Sequence, residues 1–355
     1  MKHALITLDY PPERGGVARY LGGLVEASDG AFDVYVNETH QAAGPGHVQQ
    51  AKLVASGWPA WRPMIGFIRR LRRKGYGMVL LSHVLPVGVA AMLARWTGGL
   101  PYAVICHGLD LRLARISWRK QLLARLALRS AKLVLVNSEA TAREVRELDP
   151  SLRPLVLTPG LKPSTYPPRD EARELLGVKA EAKLVVSVCR FVSRKGLDHL
   201  IEAVGSLSDV HLVLIGDGHE RDRLSALAQP HGKRIRFVGE VSDAERDAWL
   251  AAADLFALPA RDEGNDVEGF GIVFLEAAAA GLACVAGKSG GVGEAVVDGE
   301  TGILVDPTDV SSIRNAIQTL LDDPTMRERM GQAGRERVLK DFRWEDRWEK
   351  LRSWL

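Results

Sequence analysis

The chain has 355 residues, of which 46% are hydrophobic and 26% charged, with a formal net charge of +3. These are the values of a folded globular protein long enough for two domains, and they exclude a low-complexity or disordered chain. The small net charge hides an asymmetry. Residues 1–160 carry 21 Lys and Arg against 11 Asp and Glu, and no acid lies between Glu38 and Asp110. A basic half implies a polyanion partner: an anionic membrane, a phosphorylated acceptor or a nucleic acid.

In chain order, strand-like runs fall at His3–Leu8, Asp33–Val36, Met78–Ser82, Tyr102–Cys106, Lys132–Val136 and Leu155–Thr158. Most are continuous apolar runs, as in parallel sheets covered on both faces. Between the first two, Val17, Tyr20, Leu21, Leu24 and Val25 keep a helical period. Lys2 precedes only a short apolar strand, so no signal peptide is expected. The uncharged stretch Met78–Ala94 is broken by His83, Pro86 and Gly88. It reads as a strand followed by a helix rather than a membrane span. A breaker-rich linker from Thr158 to Pro168 separates this half from the next.

The alternation then restarts with Leu184–Val188, His211–Ile215, Ile235–Val238, Leu255–Leu258, Ala283–Ala286 and Ile303–Val305. The pattern predicts an α/β chain of two doubly wound, Rossmann-like domains facing a cleft. Trp344, Trp348, Leu351 and Leu355 share one helical face. Such a stripe must cover something, and it predicts a C-terminal helix crossing back to the N-terminal domain. The domains expected are 1–162 plus 341–355, and 163–340. Cys106, Cys189 and Cys284 lie in or beside apolar runs without metal spacing, which reads as reduced core thiols.

Candidate chemistry sits where strands end. Gly15-Gly16 opens the first helix and offers a backbone anion site, or a simple tight turn. Strand Tyr102–Cys106 delivers His107-Gly108, a substrate donor or a structural histidine. Strand Leu184–Val188 delivers Arg190 and Lys195, which together suit a diphosphate leaving group. Gly216-Asp217-Gly218 reads as a strand-to-helix turn near the ligand. In Glu268-Gly-Phe-Gly-Ile-Val-Phe-Leu-Glu276, two carboxylates flank a glycine loop running into a helix expected to start near Gly271. That is a phosphate cradle between two acceptors for sugar hydroxyls, or a surface loop before an Ala-rich core helix. Gly290-Gly291 and Glu294 follow a further strand, where glycine permits close backbone approach.

In this order, Gly15-Gly16, His107-Gly108, Arg190 with Arg194-Lys195-Gly196, Gly216-Asp217-Gly218, Glu268 with Glu276, and Gly290-Gly291 with Glu294 resemble the retaining glycosyltransferases of the GT-B fold, family 4. The segment from Pro259 to Glu276 looks most like the phosphatidylinositol mannosyltransferase type and similar cell-envelope enzymes. The resemblance implies that Arg190 and Lys195 bind the donor diphosphate and stabilise it as it leaves. It implies that Glu276 bonds the ribose, and that Glu268 with the backbone of Phe270, Gly271, Ile272 and Val273 holds the donor sugar. Gly15 and Gly16 would approach the diphosphate from the other domain, Gly216 would lie at the donor, and His107 would contact the sugar. The reaction implied is a front-face transfer with no carboxylate nucleophile, no cofactor and no metal. The donor implied is a nucleotide sugar, with GDP-mannose preferred and UDP sugars open. The chain departs from the family by lacking a proline after Gly281 and an Asn-Gly at the linker, and it is short. The missing length is assigned to acceptor loops of the first domain.

The acceptor expected is lipid-linked or a cell-envelope glycan, met on the inner face of the cell membrane by a peripheral cytoplasmic enzyme. Arg62–Lys74 mixes Ile65, Phe67, Ile68 and Leu71 with Arg69, Arg70, Arg72, Arg73 and Lys74. This suits an amphipathic helix pressed on anionic lipid, a site for a phosphorylated lipid acceptor, or a solvated basic face. The competing functions are a sugar-nucleotide epimerase of the same fold, a non-catalytic sugar-nucleotide binder, and a polyanion-binding protein. Nucleic acid is not expected as a partner, because no stacking aromatics interleave the basic stretch.

Overall fold

A computed structural model describes residues 2–13, 15–162 and 164–355. The chain divides into two compact units, Met1–Lys162 with Phe342–Leu355, and Pro163–Asp341. Pro163, inside the breaker-rich linker, lies outside the described residues.

Unit 1 runs β1 (His3–Ile6), α1 (Gly16–Ala27), β2 (Phe32–Asn37), β3 (His47–Ala51), α2 (Arg62–Arg73), β4 (Val79–Leu81), α3 (Val87–Trp96) and β5 (Tyr102–Cys106). It continues with α4 (Leu109–Arg115), α5 (Trp118–Ser130), β6 (Leu133–Val136), α6 (Glu139–Leu148) and β7 (Leu155–Val156). The seven strands lie in the order β3-β2-β1-β4-β5-β6-β7. Their ladders are parallel. β1, β4, β5 and β6 are buried throughout, which is why they read as unbroken apolar runs. β3 carries no such signal. Its sequence HVQQA is largely polar, and it pairs with β2 at the sheet edge with both ends exposed to some degree.

Unit 2 runs α7 (Arg169–Leu176), β8 (Lys183–Val188), α8 (Leu197–Gly205), β9 (Val210–Ile215), α9 (Arg221–Ala228), β10 (Ile235–Gly239), α10 (Asp243–Ala252) and β11 (Leu255–Leu258). Then come α11 (Ile272–Ala279), β12 (Cys284–Gly287), α12 (Val292–Ala295), β13 (Gly302–Val305), α13 (Val310–Asp322) and α14 (Pro324–Asp341). Its six parallel strands take the order β10-β9-β8-β11-β12-β13. Both sheets reverse their strand order beside the first strand of the unit, the place where doubly wound sheets open toward ligands.

The last helix, α15 (Trp344–Arg352), belongs to unit 1 although α14 before it belongs to unit 2. The aromatic stripe explains the return. Trp344 and Trp348 are over nine-tenths buried and Leu351 fully so. The Trp344 ring meets Tyr20 edge-on at 5.4 Å, and Trp348 meets Phe32 at 5.8 Å. Trp344 lies so close to Gly23 and Gly160 that a Cβ at either would fall 2.3 or 2.6 Å from the indole. Arg347 adds a bond from Nη2 to Thr158 Oγ1 at 2.8 Å. Gly23→Ala is therefore expected to displace Trp344 and cost about 1–3 kcal/mol of stability, measured by denaturant unfolding. An unchanged midpoint would show that the indole yields freely.

Candidate active site

In unit 2 the site forms around one buried carboxylate. Glu268 lies in the loop between β11 and α11, is 8% exposed, and is held by Lys195 and by Arg194 Nη1, the latter at 2.6 Å. Both cations come from the short turn after β8, so this cluster ties two strand ends together. Lys195 is itself 8% exposed. Burial alone would favour a neutral Glu268. The Lys195 and Arg194 charges outweigh it and hold the carboxyl at about 2. Arg194 also reaches Asp266 through Nε at 2.8 Å.

The loop's backbone is fixed by the second glycine motif. Gly291 N–H donates to the Glu268 carbonyl at 3.0 Å, and Ser289 Oγ accepts from Glu268 N–H at 3.3 Å while donating to Asp262 at 2.6 Å. Gly290 has a φ of 45°, and a Cβ there would fall 2.1 Å from the Glu268 carbonyl. The close approach that glycine permits at this turn is thus to the Glu268 loop. Gly216 is likewise accounted for by packing, since its Cβ would meet the Cys189 carbonyl at 2.0 Å.

α11 begins at Ile272 behind Gly271, which takes a φ of 85°. The amides of Ile272 and Val273 belong to the first turn, where helical backbone leaves N–H groups without helical acceptors. Phe270 is 2% exposed and seats this loop in the core. Glu276 lies inside α11, 6% exposed, with Arg246 of α10 3.4 Å from Oε1. Arg246 also binds Asp247 and Asp243 at 2.8 and 2.6 Å, and Tyr166 donates to the Glu276 carbonyl at 3.0 Å. Arg190 stands exposed at the end of β8. The sequence reading paired Lys195 with Arg190. The structure instead sets Lys195 beside Arg194 on Glu268, because Arg194 and Lys195 share one turn that folds toward the loop. Arg246 was not singled out at all. Its place in the first turns of a polar helix gives no sequence signal that separates it from a surface arginine.

In unit 1, His107 follows β5 and its ring is enclosed by Tyr20 at 5.4 Å and His83 at 6.3 Å. Its Nε2 is buried with no hydrogen-bond partner among the described residues. Burial, reinforced by the charge of His83, lowers its pKa to about 3, so the ring is neutral near pH 7. The loop is held by Asp110, whose carboxylate accepts from the amides of His107 at 3.1 Å and Val84 at 3.2 Å. His83 Nε2 lies 3.1 Å from Asp9. Burial opposes the His83 charge, and Asp9 and Asp110 more than offset it, so its pKa is raised. Asp9 and His83 carry no role in the sequence reading, since they lie in loops that follow two different strands, β1 and β4. Gly15 and Gly16 need glycine for neither conformation nor packing. Gly15 has an extended φ of 170°, and a Cβ at either would meet nothing within 4 Å. Their smallness leaves open space at the start of α1.

The basic stretch requires a correction. α2 carries Met64, Phe67, Ile68 and Leu71 on its inner face, all buried in the unit 1 core. Its apolar residues are thus committed to the fold and do not lie against lipid. Arg70, Arg72, Arg73 and Lys74 face outward, and Arg69, Arg72 and Arg73 line an open depression of about 620 Å³ with Thr97 and Gly98. Among the described residues no helix is long and apolar enough to cross a membrane.

The two histidines give opposite pH dependences. His107, depressed from 6.5 to about 3, contributes stability that is present above pH 6.5 and lost as pH falls. His83, raised, contributes stability present below pH 6.5 and lost as pH rises through its folded value. Glu268 contributes above pH 4.5 and loses its contribution only below that. Between pH 6.5 and 4.5, His107→Gln should therefore lose less melting temperature than the parent. Equal losses in that window would show that His107 is not held neutral.

Comparisons with known proteins place the chain in a family and a fold. The family model "Glycosyl transferases group 1" matches residues 168–337, and "Glycosyl transferase 4-like domain" matches residues 15–161. A GDP-mannose-dependent alpha-(1-6)-phosphatidylinositol monomannoside mannosyltransferase of Mycobacterium tuberculosis is 32% identical over 375 residues, covering 99% of this chain and 97% of that protein. Sucrose-phosphate synthase of Thermosynechococcus elongatus superposes with a TM-score of 0.84 at 23% identity, over 99% of this chain and 98% of its own. HepE of Anabaena, solved with UDP and glucose, gives 0.82 at 22% identity over 99% of each chain. The two structures establish the GT-B architecture. The chain belongs to the group 1 glycosyltransferases with a family 4-like N-terminal domain, and is a hexosyltransferase.

Proposed function

We propose that this hexosyltransferase takes mannose from GDP-mannose and delivers it, with retention, to a lipid-linked acceptor of the cell envelope at the inner membrane face. The observation that carries the donor is the near full-length likeness to a GDP-mannose-dependent glycolipid mannosyltransferase. UDP sugars remain the second candidate, because HepE of the same fold was solved with UDP.

In this reading Lys195 and Arg190 neutralise the diphosphate as it leaves, with Arg194 beside them, and no metal or cofactor is required. The amides opening α11 add partial positive charge for the phosphates. Glu268, fixed as an anion by Lys195 and Arg194, orients the donor sugar, and Glu276 meets the ribose. His107 offers its buried Nε2 to the sugar, a polar atom that otherwise lacks a partner among the described residues. Gly15 and Gly16 keep open space for the diphosphate. The outward basic residues Arg70, Arg72, Arg73 and Lys74, with the half-buried Arg69, meet phosphate groups of the acceptor or of anionic lipid through charge alone.

Lys195→Ala should lower kcat by about a hundredfold or more. It should also cost about 1–3 kcal/mol of stability, because Glu268 is left buried with one cation fewer. Unchanged turnover removes Lys195 from the site. A thermal-shift panel of GDP, UDP and their sugar conjugates tests the donor. At a hundredfold excess over its dissociation constant a ligand stabilises by about 2.7 kcal/mol. A shift with GDP and not UDP is expected, and the reverse would replace mannose with a UDP-linked sugar.

A further inference from the structure

The apolar face of α2 is spent on the core, yet unit 1 exposes another. On α5, Trp118 is 70% exposed, Leu122 48%, Leu123 41% and Leu126 37%. Trp118, Leu122 and Leu126 share the side opposite the buried Ala124, Ala127 and Leu128, with Leu123 on its flank. On the adjoining α4, Leu109 and Leu113 are each 46% exposed, and Ile116 just beyond it is 61% exposed. Single exposed leucines are common on soluble proteins, but a contiguous run over two successive helices marks a contact surface.

The charge on these helices selects the contact. Between Leu109 and Ser130 the only acid is Asp110, which is buried under the His107 loop. The same stretch presents Arg119 and Lys120 to solvent, whereas Arg125 and Arg129 along the same stripe are paired with Asp149. The Arg119 guanidinium lies 5.3 Å from the Trp118 ring centre, and both groups stand at the first turn of α5. Apolar side chains flanked by arginines, with a tryptophan at the edge, match the chemistry of the lipid headgroup boundary. α3 packs against both α2 and α5, so the basic helix and this stripe belong to one helical layer. α4 starts directly after His107-Gly108, so a surface seated on α4 and α5 lies next to the histidine loop.

We propose that the outer stripe of α4 and α5, centred on Trp118, Leu122 and Leu126, is the surface by which this protein docks on an anionic bilayer. The inference deepens the acceptor half of the proposed function and is independent of its donor half. α4 and α5 supply the apolar contact, whereas α2 supplies only charge.

The test is co-sedimentation with phosphatidylglycerol/phosphatidylcholine vesicles. It compares the full chain with Trp118→Ser/Leu122→Ser/Leu126→Ser and with Arg119→Glu/Lys120→Glu. The triple variant should partition at least tenfold less. The charge-reversed variant should also lose anionic vesicles while keeping its apolar residues. Melting and the nucleotide-induced shift of each variant report an intact fold and donor site. These side chains are outward, so both should match the parent. Equal partition of the triple variant overturns the proposal, as does a parent that binds no vesicles. So does a parent that is a dimer in solution which the triple substitution dissociates, since a second copy then covers the stripe. A nucleotide shift without vesicle binding overturns this inference alone. Vesicle binding without any nucleotide shift overturns the donor reading alone.

Discussion

The buried contact of Glu268 with Lys195 and Arg194 is the constraint on which the rest of unit 2 depends. A carboxylate that is 8% exposed stays ionised only beside its cations, and the cations stay buried only beside it. The turn after β8 and the loop before α11 therefore cannot move independently. Gly290, Gly291 and Ser289 add a third strand end to the same knot. Three loops at the carboxyl ends of parallel strands become one rigid frame. Such a contact is weak evidence for stability, because desolvation of both charges opposes their attraction. Its value is that charge and direction are set before a substrate arrives.

The same frame explains how a polar site coexists with a dense core. Phe270 and Phe274 hold the loop from beneath, with Phe274 edge-on to Phe256 at 5.6 Å. The amides of the first turn of α11 stay available because Gly271 caps the helix without a side chain. In unit 1 the corresponding loop is held by backbone amides on Asp110, while burial and the His83 charge keep the His107 ring neutral and its Nε2 has no partner among the described residues. One unit fixes a charge and the other fixes a neutral polar atom, each by burial with selected partners.

Much of this was legible in the sequence. Continuous apolar runs at Tyr102–Cys106 and Leu255–Leu258 coincide with strands because parallel strands are covered on both faces. The start of α11 behind Gly271 followed from glycine placed before an apolar helix. The face of Trp344, Trp348 and Leu351 announced a helix that had to be covered. β3 escaped because an edge strand with HVQQA has no apolar run. The apolar residues of α2 suit a membrane face as one of three readings, because period alone does not tell a core from a bilayer. The partners of the carboxylates were the least visible. Arg194 and Arg246 reach Glu268 and Glu276 across long sequence separations, and spacing along a chain carries no such distance.

What separates a functional Lys195 from a mere counterion for Glu268 is nucleotide affinity once the ion pair is gone. Isothermal titration of GDP and UDP into Lys195→Met/Glu268→Gln measures it, because that double variant removes both charges together. If Lys195 binds the diphosphate, the double variant should bind its preferred nucleotide at least tenfold more weakly than the parent while staying folded. Parental affinity in the double variant would contradict this and leave Lys195 as a structural counterion.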